Sequence, residues 1–112
     1  MQLTEPQNAR IRSTTLGIED HGMMTFFVML EGAGWGQGLG GYHIGSCSCA
    51  IAAIRNILEV VGVEEWEKLP GKLLRIRRRE EDGFHGKPII GHILEDKWFD
   101  LQAFMESEGK NQ

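Results

Sequence analysis

Arginine is concentrated in one stretch of this 112-residue chain, LLRIRRRE. Arg75 and Arg77 alternate there with apolar residues, so both guanidinium groups should project from the same side of a strand. A guanidinium is a planar fork of donors that suits phosphate oxygens and stacks on aromatic rings. The pattern indicates a phosphate-binding strand or, alternatively, a solvated face paired with the acidic residues 80–82. Arg12 repeats the pattern near the N-terminus, where the solvated reading is the stronger.

Glycine dominates the segment GAGWGQGLGGY, residues 32–42. Gly36, Gly38 and Gly41 spell GxGxxG, but that dinucleotide fingerprint must open directly into a helix within a βαβ unit, and here it does not. We expect a loop instead, which either cradles an anion with its backbone N–H groups or simply turns tightly before a helix. Trp35 in this loop would stack on a ligand or plug a neighbouring subunit.

The histidines and cysteines give weaker signals for catalysis or metal binding. His21, beside Glu19 and Asp20, could act as an acid or base, although a histidine satisfied within a turn explains it better. Cys47 and Cys49 should be small packing residues at a helix start, because side chains two apart rarely meet disulfide geometry. We expect no metal, no cofactor and no catalytic residues.

The elements that must position these residues follow from hydrophobic periodicity. Strands are predicted over 9–16 and 23–31, the second buried on both faces in a sheet interior or a subunit interface. A long amphipathic helix is predicted over 47–61, with Ser46 or Ser48 as its N-cap and Gly62 as its C-cap. The remaining predicted elements are a short helix at 63–69, strands at 72–80 and 87–99 that form a hairpin, and a short helix near 101–105.

These elements predict a single α+β domain, in which an antiparallel sheet of about four strands packs against one long helix, with one or two short helices and a disordered tail from about 107. Trp66 and Trp98 are predicted to be packing residues. The net charge of −4 disfavours duplex nucleic acid as a partner. With no leader and no membrane span, we expect a cytoplasmic location. The apolar second strand predicts a homo-oligomer.

The ordered segments IRSTTLGIEDHGMMTF, GWGQGLGGY, AIRNILEVVGVEEWEKLPGKLLRIR and IGHILEDKWF resemble the first family of Thoeris anti-defence proteins. The resemblance runs from about Ile11 to Phe99. It implies a phage-encoded sponge that acts in the cytoplasm of the infected bacterium, where it sequesters glycosylated cyclic ADP-ribose messengers without cleaving them. It also implies dimers that assemble into hexamers, with pockets at subunit interfaces, and in some members separate sites for cyclic trinucleotides.

A pocket for such a messenger needs an aromatic plane, polar partners and concentrated positive charge. Trp35, Tyr42 or Phe84 could stack on the adenine, and Asn56 and Gln37 could bind polar edges. Arg75 and Arg77 are the candidates for the phosphates, and His21 and Arg12 complete the set. The alternatives are an enzyme that degrades a cyclic nucleotide and a phage single-strand-binding or nucleotide-binding accessory protein.

Overall fold

The computed structural model describes residues 2–45 and 48–109. Its regular elements are β1 (Gln7–Ile18), β2 (Met24–Gly32), β3 (Trp35–His43), α1 (Cys49–Val61), β4 (Leu73–Arg77), β5 (Ile89–Gly91), β6 (Trp98–Phe99) and α2 (Leu101–Gly109). Single 3₁₀ segments lie at Trp66–Lys68 and Glu80–His85. The predicted α+β class and the two hairpins are therefore confirmed, and α2 continues past residue 107, where we expected disorder to begin.

The six strands form one antiparallel sheet with the order β3-β2-β1-β4-β5-β6. The sheet is larger than the four strands predicted, because the glycine segment is a strand and the predicted strand 87–99 divides into β5 and β6. It curls into a half-barrel around the two helices. The curl brings β3, one edge of the sheet, close to the chain that links β4 to β5. There the side-chain Nε2 of Gln37 donates to the backbone carbonyl of Gly86 at 2.9 Å.

The hydrophobic core lies between the inner face of the half-barrel and the helices. Alternating residues of the strands point inward, and α1 contributes the stripe that its periodicity predicted. The large, fully buried side chains include Phe26, Ile11, Leu30, Leu39 and Ile57. None of the described helices is long and apolar enough to cross a membrane.

Helix α1 begins after Ser48 and ends at Gly62, close to the predicted bounds. Ser48 occupies the N-cap position but makes no side-chain capping hydrogen bond, and Ser46 lies outside the described residues. Gly62 has φ 93°, the left-handed conformation of a C-cap glycine. Cys49 is buried as predicted, but it is disulfide-bonded, which corrects the expectation of a free thiol. Cys47 lies outside the described residues.

The glycine segment was wrongly predicted to be a loop. Trp35, Gln37 and Leu39 pair with β2 as alternate residues of β3 and face inward, so the intervening glycines face outward. A Cβ atom at Gly38 would lie only 2.7 Å from the ring of Phe27, which shows that the ring lies across the bare backbone. Glycine is therefore needed here for a close approach between neighbouring strands.

A bulge interrupts the pairing of β2 and β3 opposite Phe26 and Phe27. Gly40 and Gly41 both adopt positive φ there, 122° and 85°, which residues with a Cβ rarely do. The extra residue returns Tyr42 to the inner face, beside Phe26. In this chain the glycines of the GxGxxG pattern therefore belong to a bulged strand.

Strand β2 is covered on one face only by the residues that the structure describes. Phe26, Val28 and Leu30 are buried against the helices, whereas Phe27 on the outer face is 38% exposed and Met29 is half-buried. The sequence predicted a strand buried on both faces, in a sheet interior or a subunit interface. The first of these alternatives is corrected, because the outer face of β2 is partly exposed. Leu16, Ile18, Met23 and Met24 are also exposed, at the far end of the β1–β2 hairpin.

Candidate functional site

Arg75 and Arg77 lie on the outer face of the sheet with the indole of Trp98. The central guanidinium carbons are 5.1 Å and 5.6 Å from the ring centroid. Leu74 and Ile76 occupy the intervening inward positions of β4, so strand alternation directs both arginines outward, as predicted. We call these three residues the Trp98 patch. Two cations on one aromatic ring form a surface that combines stacking with positive charge.

The guanidinium groups of the patch are held by backbone carbonyls. Arg75 donates from Nε to His92 at 2.8 Å and from Nη2 to Glu95 at 2.9 Å, and Arg77 donates from Nε to Thr4 at 2.8 Å. Carbonyls are neutral, and no carboxylate of the described residues lies within 4 Å of either group. Both charges are therefore oriented without being neutralised, and further N–H groups remain to bind an anion.

The turn between β5 and β6 provides the carbonyls that bind Arg75. His92 stabilises this turn, because its Nδ1 accepts the backbone N–H groups of Leu94 and Glu95 at 3.1 Å and 3.0 Å. Its Nε2 lies 3.5 Å from the carboxylate of Glu95. His92 thus affects the Trp98 patch indirectly, because it stabilises the turn whose backbone carbonyls bind Arg75.

Gly91 allows the indole of Trp98 to lie flat on the sheet. It pairs with both Arg75 and Trp98, and a Cβ at this position would lie 2.4 Å from the indole ring. The indole Nε1 donates to Asp96 at 2.9 Å, which fixes the ring from its other side. A short strand, one glycine and one aspartate therefore position the ring under the arginines.

A cavity of about 230 Å³ lies between α1 and the edge strand β6. Asn56 and Glu59 line it from the helix, and Lys97, Trp98 and Phe99 line it from the strand. Trp98 is thus shared by the cavity and the arginine patch. Of the predicted site residues, Arg75 and Arg77 thus contact the Trp98 ring, and Asn56 lines the cavity that this ring borders.

Trp35 and Gln37 belong to a second group, centred on Arg78. The guanidinium carbon of Arg78 is 4.9 Å from the centroid of the Trp35 ring, and its Nη2 donates to the side-chain Oε1 of Gln37 at 2.7 Å. Trp35 and Gln37 both face the interior of the half-barrel. Their contacts with Arg78, and that of Gln37 with Gly86, join the edge strand β3 to the chain that follows β4.

The other predicted site residues lie apart from these two groups. Tyr42 faces inward, where burial first, and then the carboxylates of Glu106 and Asp100, raise the pKa of its phenol. His21 lies in the β1–β2 turn, with its backbone N–H bound to Glu19 at 2.9 Å, as the alternative reading expected. Arg12 is exposed at the bulge in β1. The side chain of Phe84 lies outside the described part of the structure.

The role of Trp98 was not predicted from the sequence. Both Trp66 and Trp98 were predicted to be packing residues. Of these two, Trp66 packs against the core and Trp98 does not. The usable signal was Gly91, seven residues earlier, since a glycine opposite a tryptophan in a hairpin marks a close approach. Arg78 was read as one of a basic run, although it is buried.

Within residues 2–45 and 48–109, no group of three or more histidine, cysteine or acidic side chains is placed to hold a metal ion. The chain matches no protein-family profile, no curated protein and no solved structure at significant similarity.

Proposed function

We propose that this chain is a binding protein that captures a phosphate-bearing signalling nucleotide at the Trp98 patch and releases it unchanged. The observation that carries the proposal is the pair of guanidinium groups, Arg75 and Arg77, held on one indole without a carboxylate partner. An aromatic plane beside two oriented cations matches a nucleobase joined to phosphates.

The sequence resemblance makes a glycosylated cyclic ADP-ribose isomer the first candidate ligand. In this proposal the protein is a phage sponge in the infected bacterium, and holding the messenger keeps a downstream immune effector silent. Such a protein needs affinity and slow release, and it needs no proton transfer. Cyclic trinucleotides are a further class of ligand to test.

The size of the cavity favours a site completed by a second copy of the chain. About 230 Å³ is below the volume of roughly 300–1,000 Å³ that small-molecule pockets usually have. A dinucleotide-sized ligand would therefore lie across an open surface unless another subunit covered it. The exposed Phe27, Met23, Met24, Leu16 and Ile18 provide apolar surface for such a contact.

The decisive experiment measures capture and release. Purified protein is incubated with cyclic ADP-ribose isomers and cyclic oligonucleotides, separated from free ligand and heated, and the released molecules are identified by mass spectrometry. We expect intact messenger from the wild type. Arg75→Ala and Arg77→Ala should each weaken affinity about 10- to 100-fold, the value of a hydrogen bond to a charged group.

Arg10→Ala is the matched control, because it removes an exposed arginine whose ion-pair partner, Glu31, does not line the cavity beside Trp98. Its capture should equal that of the wild type. Recovery of cleavage products would show an enzyme instead, and binding to polynucleotides that weakens steeply with salt would show a single-strand-binding protein. Capture that survives in both Arg75→Ala and Arg77→Ala would remove the Trp98 patch from the site.

A further inference from the structure

Arg78 is a buried cation immediately after β4. Only 5% of its surface is exposed, and burial lowers the pKa of its guanidinium. Within the described residues, its guanidinium donates a hydrogen bond to Oε1 of Gln37 and stacks on the ring of Trp35. Both partners are neutral.

No carboxylate of the described residues lies within 4 Å of this buried charge, and its Nε–H has no hydrogen-bond partner there. Buried charges in proteins are almost always paired, because an uncompensated one costs several kcal/mol. Stacking on an aromatic ring offsets only a small part of that cost. The neighbouring Arg79 shows the usual arrangement, an ion pair with Asp100.

A cavity of about 110 Å³ adjoins Arg78 and is lined by Thr4, Gln7 and Gly83 as well. The hydroxyl oxygen of Thr4 accepts the backbone N–H of Arg78 at 2.9 Å, so its own hydrogen remains to be donated. The amide group of Gln7 adds two more donors. The cavity is several times larger than one water requires, and much smaller than a site for a whole nucleotide.

The acidic side chains nearest in sequence are Glu80, Glu81 and Asp82, at the start of the following 3₁₀ segment. All three are exposed to solvent, where water and salt screen their charges. None of them lines the cavity. The cavity therefore borders a buried positive charge, and no acidic side chain is among the residues that line it.

We propose that the Arg78 cavity is a second binding site, which takes a single oxyanionic group, namely a phosphoryl group. A bound phosphoryl oxygen neutralises the guanidinium and takes up the hydrogen-bond donors of Arg78, Thr4 and Gln7. This site is separate from the Trp98 patch, and its existence does not depend on capture of a nucleotide there.

The test uses inorganic phosphate and methyl phosphate as probes, with sodium acetate as the carboxylate arm and sodium chloride to keep ionic strength constant. We expect a saturable rise in the melting temperature of the wild type with either phosphate probe. Calorimetric titration of phosphate should give one site per chain. Arg78→Met should weaken that binding at least tenfold, while Arg55→Met, which removes an exposed arginine, should leave it unchanged.

Two further variants keep the test decisive if Arg78→Met does not fold. Gln7→Leu removes one amide from the lining and should weaken phosphate binding severalfold. Arg75→Ala alters the Trp98 patch without touching the cavity, because Arg75 binds the carbonyls of His92 and Glu95, and it should preserve phosphate binding. No saturable effect of phosphate on the wild type, an effect that acetate reproduces equally, or an effect lost in Arg75→Ala and kept in Gln7→Leu would each overturn the proposal.

Discussion

Arg75 donates its Nε–H to the carbonyl of His92 at 2.8 Å, and the ring of that same histidine stabilises the turn that supplies the carbonyl. The position of the Arg75 guanidinium on the outer face thus depends on the imidazole of His92, which acts through the backbone of the turn. This relationship makes the β5–β6 turn part of the proposed site.

His92→Ala should therefore loosen the patch without removing any of its members. Two backbone N–H groups lose their acceptor, which should lower the free energy of unfolding by about 1 kcal/mol. Amide hydrogen exchange should accelerate at Leu94 and Glu95, and messenger affinity should fall. Leu94→Ala, at an 84% exposed position of the same turn, is the control and should change neither. Unchanged exchange in His92→Ala would show that the imidazole does not stabilise the turn.

Gly91→Ala tests whether the indole of Trp98 must lie flat on the sheet. The added methyl group would lie 2.4 Å from the ring, so the ring must move away from the arginines. We expect a shifted Nε1–H resonance of Trp98 in NMR spectra and weaker capture of the messenger. Gly17→Ala introduces the same methyl group where nothing lies within 4 Å, and should leave both measurements as in the wild type. An unmoved resonance in Gly91→Ala would contradict the expectation.

Replacing a glycine of β3 by alanine should lower stability at Gly38 and leave it unchanged at Gly36. Gly38→Ala forces a methyl group against Phe27 and should destabilise the protein by about 1–3 kcal/mol. Gly36→Ala, two residues earlier on the same face, meets only an ordinary contact at 3.6 Å and should be neutral within about 0.5 kcal/mol. Urea denaturation compares them.

If Phe27 causes the difference, then Phe27→Leu should suppress part of the cost of Gly38→Ala in the double variant. Additive costs of the two substitutions would show instead that Gly38 is required for its backbone alone.

Tyr42 predicts a loss of stability in alkali. Because its pKa is raised in the folded state, folding favours the protonated phenol. That contribution is complete below the pKa of the unfolded chain, about 10, and is lost as the pH rises through the folded value. The near-ultraviolet absorbance of tyrosinate follows this residue alone, since the chain has one tyrosine. Tyr42→Phe should lose stability less steeply than the wild type above pH ~10; an identical slope would exclude the phenol as the cause.

Periodicity predicted the elements whose own residues determine them. Helix α1 and the alternation of Arg75 and Arg77 in β4 both follow from side chains that repeat on one face. Strand β3 could not be predicted in this way, because its outward residues are glycines and the side chains that cover them belong to β2. Its pattern is readable only once Phe27 is known to lie beside Gly38.

The site was predictable to a similar extent. The arginines were identified by the chemistry of their side chains, whereas Trp98 was assigned to packing because its sequence neighbours are apolar. Its partners lie more than twenty positions earlier in the chain and meet it only through the pairing of β4, β5 and β6. The burial of Arg78 depends on the curl of the whole sheet, which no local pattern records.

The three tryptophans differ in one respect that gives the protein an internal optical probe. Trp98 and Trp35 each lie under arginine guanidinium groups, whereas Trp66 packs edge-on against Phe26 beside the core. Indole fluorescence responds to nearby charge, so an anion that arrives at either arginine group should change the emission of one tryptophan and leave Trp66 as an invariant background. Single replacement of Trp98 or Trp35 by phenylalanine would then assign each spectral change to its own site, with no label attached to protein or ligand.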